Sequence, residues 1–223
     1  MTKNAPPRTA FQMMTLAIAG AVAAVSLTAC VPLVIGGAMV GGTLIAIDRR
    51  TSGAQLEDEG IELRAASRVR TNVGDRVHVN LTSYNRQVLI TGEVPNEQDK
   101  LLVGQIVSRV ENVGTIVNEL AVLGNSTLAQ RSSDVLVTGR IKAALIDTKD
   151  LISSAFKVVT ERGTVYLMGR VTAREADRAT AIARGTSGVQ KVVRVFENIS
   201  EEELTRMTPT PAKPDANRTA PAN

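Results

Sequence analysis

The chain repeats itself, and that repetition limits the possible fold more than any other feature. One copy contains Val77-His78-Val79-Asn80-Leu81, then Asn85-Arg86, then Val88-Leu89-Ile90-Thr91-Gly92-Glu93-Val94. The other contains Phe156-Lys157-Val158-Val159, then Arg162-Gly163, then Val165-Tyr166-Leu167-Met168-Gly169-Arg170-Val171. Gly92 aligns with Gly169 and Val94 with Val171 without a gap. Alternating apolar runs around a short turn predict a β-hairpin in each copy. A helix is predicted after each hairpin. In the second copy it opens with the capping-box pattern Thr172-Ala173-Arg174-Glu175 and continues through Ala176, Ala179, Ile182 and Ala183. Its counterpart starts near Asn96 and runs through Leu102, Val103, Ile106 and Val110. A β-rich run closes each copy, Val113 to Leu120 and Val189 to Phe196. A further helical stretch precedes each hairpin: Ile61, Ala65, Ala66 and Val69 in one, Val137, Ile141, Ala144 and Leu145 in the other. The order is therefore αββαβ, twice. That predicts an α+β fold of two small α/β sandwiches, each with two helices on one face of a three-stranded sheet.

With no Trp, two Tyr and three Phe, the cores must be built from Val, Ile, Leu and Ala. The only cysteine, Cys30, has no partner for an internal disulfide. Lys3 and Arg8, the uncharged run from Met13 to Ser26, and the small residues Thr28 and Ala29 precede it, as in a signal peptide spanning 1–29. Residues 30–55 are expected to be an anchor and glycine-rich linker. Within it, Val31 to Ile47 reads as a segment on the membrane interface, a spanning helix being the alternative. Asp48-Arg49-Arg50 reads as the exit into water. The two domains are placed at 56–124 and 132–200. One helical turn is expected near Ser200 to Leu204, and the proline-containing tail, 205–223, reads as disordered.

No catalytic set is visible. His78, the single histidine, lies in a predicted strand, where a solvated or packed role is expected, and no metal-ligand spacing or phosphate loop appears. The expectation is a non-enzymatic protein with no catalytic residues, no metal and no cofactor. A formal charge of +4 without a basic, aromatic-studded stripe argues against nucleic acid as a partner. The charge is divided unevenly. Seven bases face ten acids between Leu56 and Gly124, whereas eleven bases face seven acids between Ser133 and Ser200. In the helix near Asp134 to Asp147, Val137, Ile141, Ala144 and Leu145 can face the sheet. Val135 and Leu136 then fall on another face beside Arg140 and Lys142. Apolar residues flanked by bases suit contact with anionic phospholipid, and packing of Leu136 on the other domain is the plainer alternative.

The residues leading to Cys30 resemble the lipobox of bacterial lipoproteins. That resemblance implies cleavage before Cys30 and acylation of its thiol and new amine. With Val31 in the next position, it implies residence on the periplasmic face of the outer membrane. The Gly-x-Val after each second strand and Gly188-Val189-Gln190-Lys191-Val192 resemble the BON domain, although Asn112 stands at the glycine position in the first copy. The chain is similar to lipoproteins with two BON domains. That similarity implies phospholipid binding by the second domain and a part in envelope integrity. It also implies a link to division-site or outer-membrane assembly proteins. A protein-docking adaptor using the sheet or interdomain surface, reported by Leu89, is the other reading. No cofactor is implied beyond covalent lipid on Cys30.

Overall fold

The computed structural model describes residues 48–207. The expected signal peptide, Cys30, the glycine-rich segment and the tail beyond Met207 lie outside the described residues.

Helix α1, Ser52–Val73, opens inside the stretch expected to be linker, because the Thr51 side chain accepts a hydrogen bond from the Ala54 amide and caps it. Ile61, Ala65, Val69 and Val73 form its buried face, whereas Ala66 is exposed. Strands β1 (His78–Tyr84) and β2 (Gln87–Val94) pair antiparallel. Asn85 and Arg86 turn the chain between them at φ 51° and 66°, the left-handed geometry of a two-residue hairpin loop. Helix α2, Glu97–Ser108, follows with Asn96 as its cap. The last strand of this copy comes in two pieces, β3 (Thr115–Asn118) and β4 (Ala121–Val122), both parallel to β2.

The second copy repeats the plan. It comprises α3 (Leu128–Ile146), β5 (Lys157–Glu161), β6 (Thr164–Val171), α4 (Ala173–Gly185) and an unbroken β7 (Lys191–Asn198) parallel to β6. A last helix, α5 (Glu201–Met207), extends the turn expected after Ser200. The recurring glycines have a steric cause. Gly92 and Gly169 have φ of 116° and 157°, and a Cβ there would collide with the carbonyl oxygen of His78 and of Ala155, respectively. Only a residue without a side chain lets the neighbouring strand, or the turn that leads into it, approach so closely.

Each copy has its own core. Val88, Ile90 and Val94 of β2 meet Ile61, Ala65 and Val69 of α1 and Val103 and Val107 of α2. Val165, Leu167 and Val171 of β6 likewise meet Val137, Ile141 and Leu145 of α3 and the alanines of α4. The opposite sheet faces pack against each other through a third cluster containing Tyr84 and Leu89 of the first copy and Tyr166, Met168 and Val195 of the second. With layers on both faces, β2 and β6 are buried at almost every position, and full burial of a side chain such as Leu89 contributes roughly 2–3 kcal/mol. The burial pushes the Tyr166 hydroxyl up to about 12. The sheet face expected to be free for a partner is therefore already covered, and Leu89 is inaccessible.

A second correction concerns residues 48–50, which do not simply leave for water. Arg49 is buried. Its guanidinium donates to both carboxylate oxygens of Glu175 at 2.8 and 2.7 Å and to the Arg170 carbonyl at 2.8 Å. Arg50 donates to Asp58 at 2.8 Å and lies 4.3 Å from the Tyr84 ring centroid. Two adjacent arginines thus hold one copy each, and the segment before α1 straps the pair together.

Candidate functional site

Helix α3 is fixed at three points. A reciprocal capping box between Thr127 and Gln130 starts it. Nearly two turns in, the buried Asp134 carboxylate accepts from the amides of Arg162 and Gly163 at 2.8 Å each, tying the helix to the β5–β6 turn. Further along, Val137 sits so close to Gly188 (φ 95°) that a Cβ there would lie 2.7 Å from its methyl. This explains the glycine of the Gly-Val-x-x-Val pattern. At the equivalent place Asn112 adopts φ 66°, a left-handed conformation that asparagine tolerates.

With that face committed, the other faces solvent. Leu128 is 81% exposed, Val135 71%, Leu136 61% and Ile146 68%. Leu136 is left largely uncovered by the first copy. Arg140 and Lys142 are exposed beside them. Arg140 donates to the Ser187 carbonyl at 3.3 Å, and neither base forms an ion pair among the described residues. The helix therefore presents an apolar row beside two cations without an ion-pair partner among the described residues. Asp147 ends the helix as its cap, and Asp150 lies 3.7 Å from Arg178.

A separate polar cluster occupies the seam between the copies. Glu93, fully buried on β2, accepts from Arg162 Nε at 2.6 Å, from the Ser126 amide at 3.1 Å and from its hydroxyl at 3.2 Å. The His78 ring lies 2.8 Å from the same carboxylate. Burial pushes the Glu93 carboxyl up, but the hydrogen bonds from Arg162, His78 and Ser126 outweigh it and hold the group below the usual glutamate value. Glu161, on β5, accepts from Asn80 at 2.8 Å, and its burial, with Glu93 and Asp134 nearby, raises its carboxyl. His78, Asn80, Arg131, Val135, Thr138 and Glu161 are among the residues lining a cleft of about 280 Å³. His78 thus takes the packed one of its two expected roles, in the seam, and stands at the start of β1 and not in mid-strand.

Sequence reasoning missed Arg49, Asp58, Glu93 and Glu161. Asp58 plays the part of Asp134 in the first copy, accepting from the amides of Asn85 and Arg86 at 2.7 and 2.8 Å. The available signal was an aspartate three residues before the first core position, Ile61 in one copy and Val137 in the other.

Two αββαβ units with matching turn anchors and close-approach glycines carry a specific signature. The BON domain family profile matches residues 58–124 and 133–197. The chain belongs to the BON domain family. Its two BON domains also align with named proteins. It is 36% identical over 177 residues to the outer membrane lipoprotein DolP of Haemophilus influenzae, covering 78% of this chain and 91% of that protein. It is 30% identical over 155 residues to a 21 kDa hemolysin of Actinobacillus pleuropneumoniae, covering 69% and 80%. A solved structure of CdsD, a structural protein of the type III secretion system of Chlamydia trachomatis, aligns at 12% identity over 69% of this chain and 96% of that one. Its TM-score of 0.25 lends it no weight. The likeness to DolP makes this a dual-BON lipoprotein of the outer membrane with a role in the envelope. No helix among the described residues is long and apolar enough to cross a membrane.

Proposed function

We propose that acyl chains on Cys30 hold this protein at the outer membrane, facing the periplasm, and that α3 of the second BON domain contacts anionic phospholipid to support envelope integrity. The observation that carries this reading is the exposed row Leu128, Val135, Leu136 and Ile146 with Arg140 and Lys142 beside it. The apolar side chains enter the headgroup boundary while the cations meet phosphates. Each base near an anionic surface adds about 1 kcal/mol, so removing both lowers affinity about 30-fold. No catalytic role is assigned.

The test uses the mature chain with Cys30→Ala, which lacks the acyl site. It should float with vesicles containing phosphatidylglycerol at low salt and not with phosphatidylcholine vesicles. The double variants Arg140→Glu/Lys142→Glu and Val135→Ser/Leu136→Ser should each remain at the bottom of the gradient. Absence of flotation in the parent chain would sink the reading.

A second reading has its own observation. Leu56 and Leu63 of α1, one face of the first BON domain, are 71% and 73% exposed. A protein-docking role toward envelope, outer-membrane assembly or division-site proteins would use that helix, because the sheet faces are occupied. Site-specific crosslinking from Leu63 in cells tests it, and crosslinks to lipid alone would remove it.

A further inference from the structure

We propose that the seam between the BON domains binds a divalent transition-metal ion of the Zn²⁺ class through His78 and Glu93 of the first domain and Glu161 of the second. One ligand atom from each of the three lies within 4.8 Å of the others. Zinc holds its nitrogen and oxygen ligands at about 2.0–2.2 Å, so modest side-chain rotation closes this set around an ion. One imidazole with two carboxylates suits a borderline divalent ion.

The charge balance of the cleft points the same way. Glu161 is only 8% exposed, yet no base lies within ion-pair distance among the described residues. Asn80 donates to one of its oxygens, and the other receives no hydrogen bond from a described residue. The surrounding groups do not supply the missing charge. From β2, Glu93 is matched by Arg162 of the β5–β6 turn. From α3, Asp134 spends both oxygens on backbone amides, and Arg131 donates to the Ser126 hydroxyl at 3.1 Å. From β1 come only Asn80 and His78. A buried carboxylate left in this state favours a cation beside it.

The ion would sit where the hydrogen bond between His78 Nδ1 and Glu93 now runs. Nδ1–H now donates to Glu93, so the ion takes the Nδ1 lone pair only after the proton on that nitrogen has gone to Nε2 or to solvent. Arg162 stays on the far oxygen of Glu93 and orients it. The cleft leaves room for water to complete the coordination. Because the ligands come from both domains, the ion would tie them together.

The experiment uses the full acylated chain, without an affinity tag, in neutral detergent after treatment with EDTA. ZnCl₂ is titrated while the thermal midpoint and the imidazole NMR signals of His78, the only histidine, are followed. At a hundredfold excess over Kd the midpoint should rise by about 5–10 °C, and the His78 signals should shift to saturation. Glu161→Gln, which replaces an unpaired carboxylate by a neutral amide of the same shape, should fold and lose both responses. His78→Gln should lose the thermal response. Three results would each overturn the proposal. One is a His78 spectrum indifferent to Zn²⁺. Another is a thermal shift of equal size in both variants, which would mark adventitious surface binding. The third is a cluster that responds to pH and not to the metal, which would make a proton its occupant.

Discussion

The two BON domains share an architecture and differ in what completes them. Both use a helix-borne aspartate, Asp58 or Asp134, to hold two amides of the hairpin turn. Both use a glycine, Gly92 or Gly169, to let the chain pass closely at the first strand or at the turn just before it. Both place an acid in the first turn of the second helix, Asp99 or Glu175. There they part. Asp99, itself buried, is paired at 2.7 Å with Arg76 of its own domain, whose side chain is half exposed. Glu175 is paired with Arg49, which precedes the other domain in the chain and is buried with it. Duplication preserved the devices that set local geometry. The second domain depends for one of its buried charges on the strap that leads back toward the anchor. The outer helices also differ. Leu56 and Leu63 stand on an acidic domain, whereas Val135 and Leu136 stand on a basic one.

The largest effect should come from the shared devices. Gly92→Ala and Gly169→Ala each force a Cβ into a carbonyl in a left-handed or extended-left conformation, and each should cost about 4 kcal/mol or more. If the copies are equivalent in this respect, urea denaturation will give similar losses for both. The next effect should separate them. Arg49→Ala leaves Glu175 buried without its cation and should cost about 3 kcal/mol, with faster hydrogen exchange concentrated in the second domain. Arg76→Ala removes a half-exposed cation whose place water can take beside Asp99, so it should cost less and leave the second domain's exchange unchanged.

Titration sharpens the contrast further. Burial opposes ionisation of Asp58, Glu93 and Glu175, yet hydrogen bonds and cations leave all three below their ordinary values of 3.8 and 4.5. Their stabilising contribution is present above those values and fades as pH falls through the lowered ones. Glu161 runs the other way. Its raised carboxyl contributes stability at low pH that is lost as pH rises through the folded value, so Glu161→Gln should flatten the neutral side of the stability profile while leaving the acid limb in place. Thermal midpoints taken in chelator between pH 3 and 8 would show it. The smallest stability effect belongs to the exposed face. Val135→Ser/Leu136→Ser should stay within about 0.5 kcal/mol of the parent by urea denaturation. A large loss there would mean that the face is packed.

The hairpins, the four main helices and the duplication were legible because each rests on periodicity or on a residue with a steric job. Alternation around Asn85-Arg86 and Arg162-Gly163 announces the turns, and Thr172 with Glu175 announces a helix start. The candidate membrane face was legible in part. The spacing of Val137, Ile141 and Leu145 assigns the core side of α3, and Val135 and Leu136 follow by exclusion. The seam was not legible. His78, Glu93 and Glu161 are far apart in the chain, and nothing in their local pattern reports that two sheets bring them together. Arg49 was misread for the same reason, since a pair of arginines after an apolar run looks like any exit into solvent.

By itself the sequence determined what depends on neighbours along the chain: strand and helix periods, caps, left-handed turns and the glycines that admit a close strand. Tertiary structure alone decided which sheet faces meet and which charges are taken out of water. It also decided that a residue ahead of the first domain completes the second. Local rules act over a few residues, where backbone geometry limits the choices. Burial and charge pairing act across space, and they are fixed only when two separately encoded surfaces close on each other.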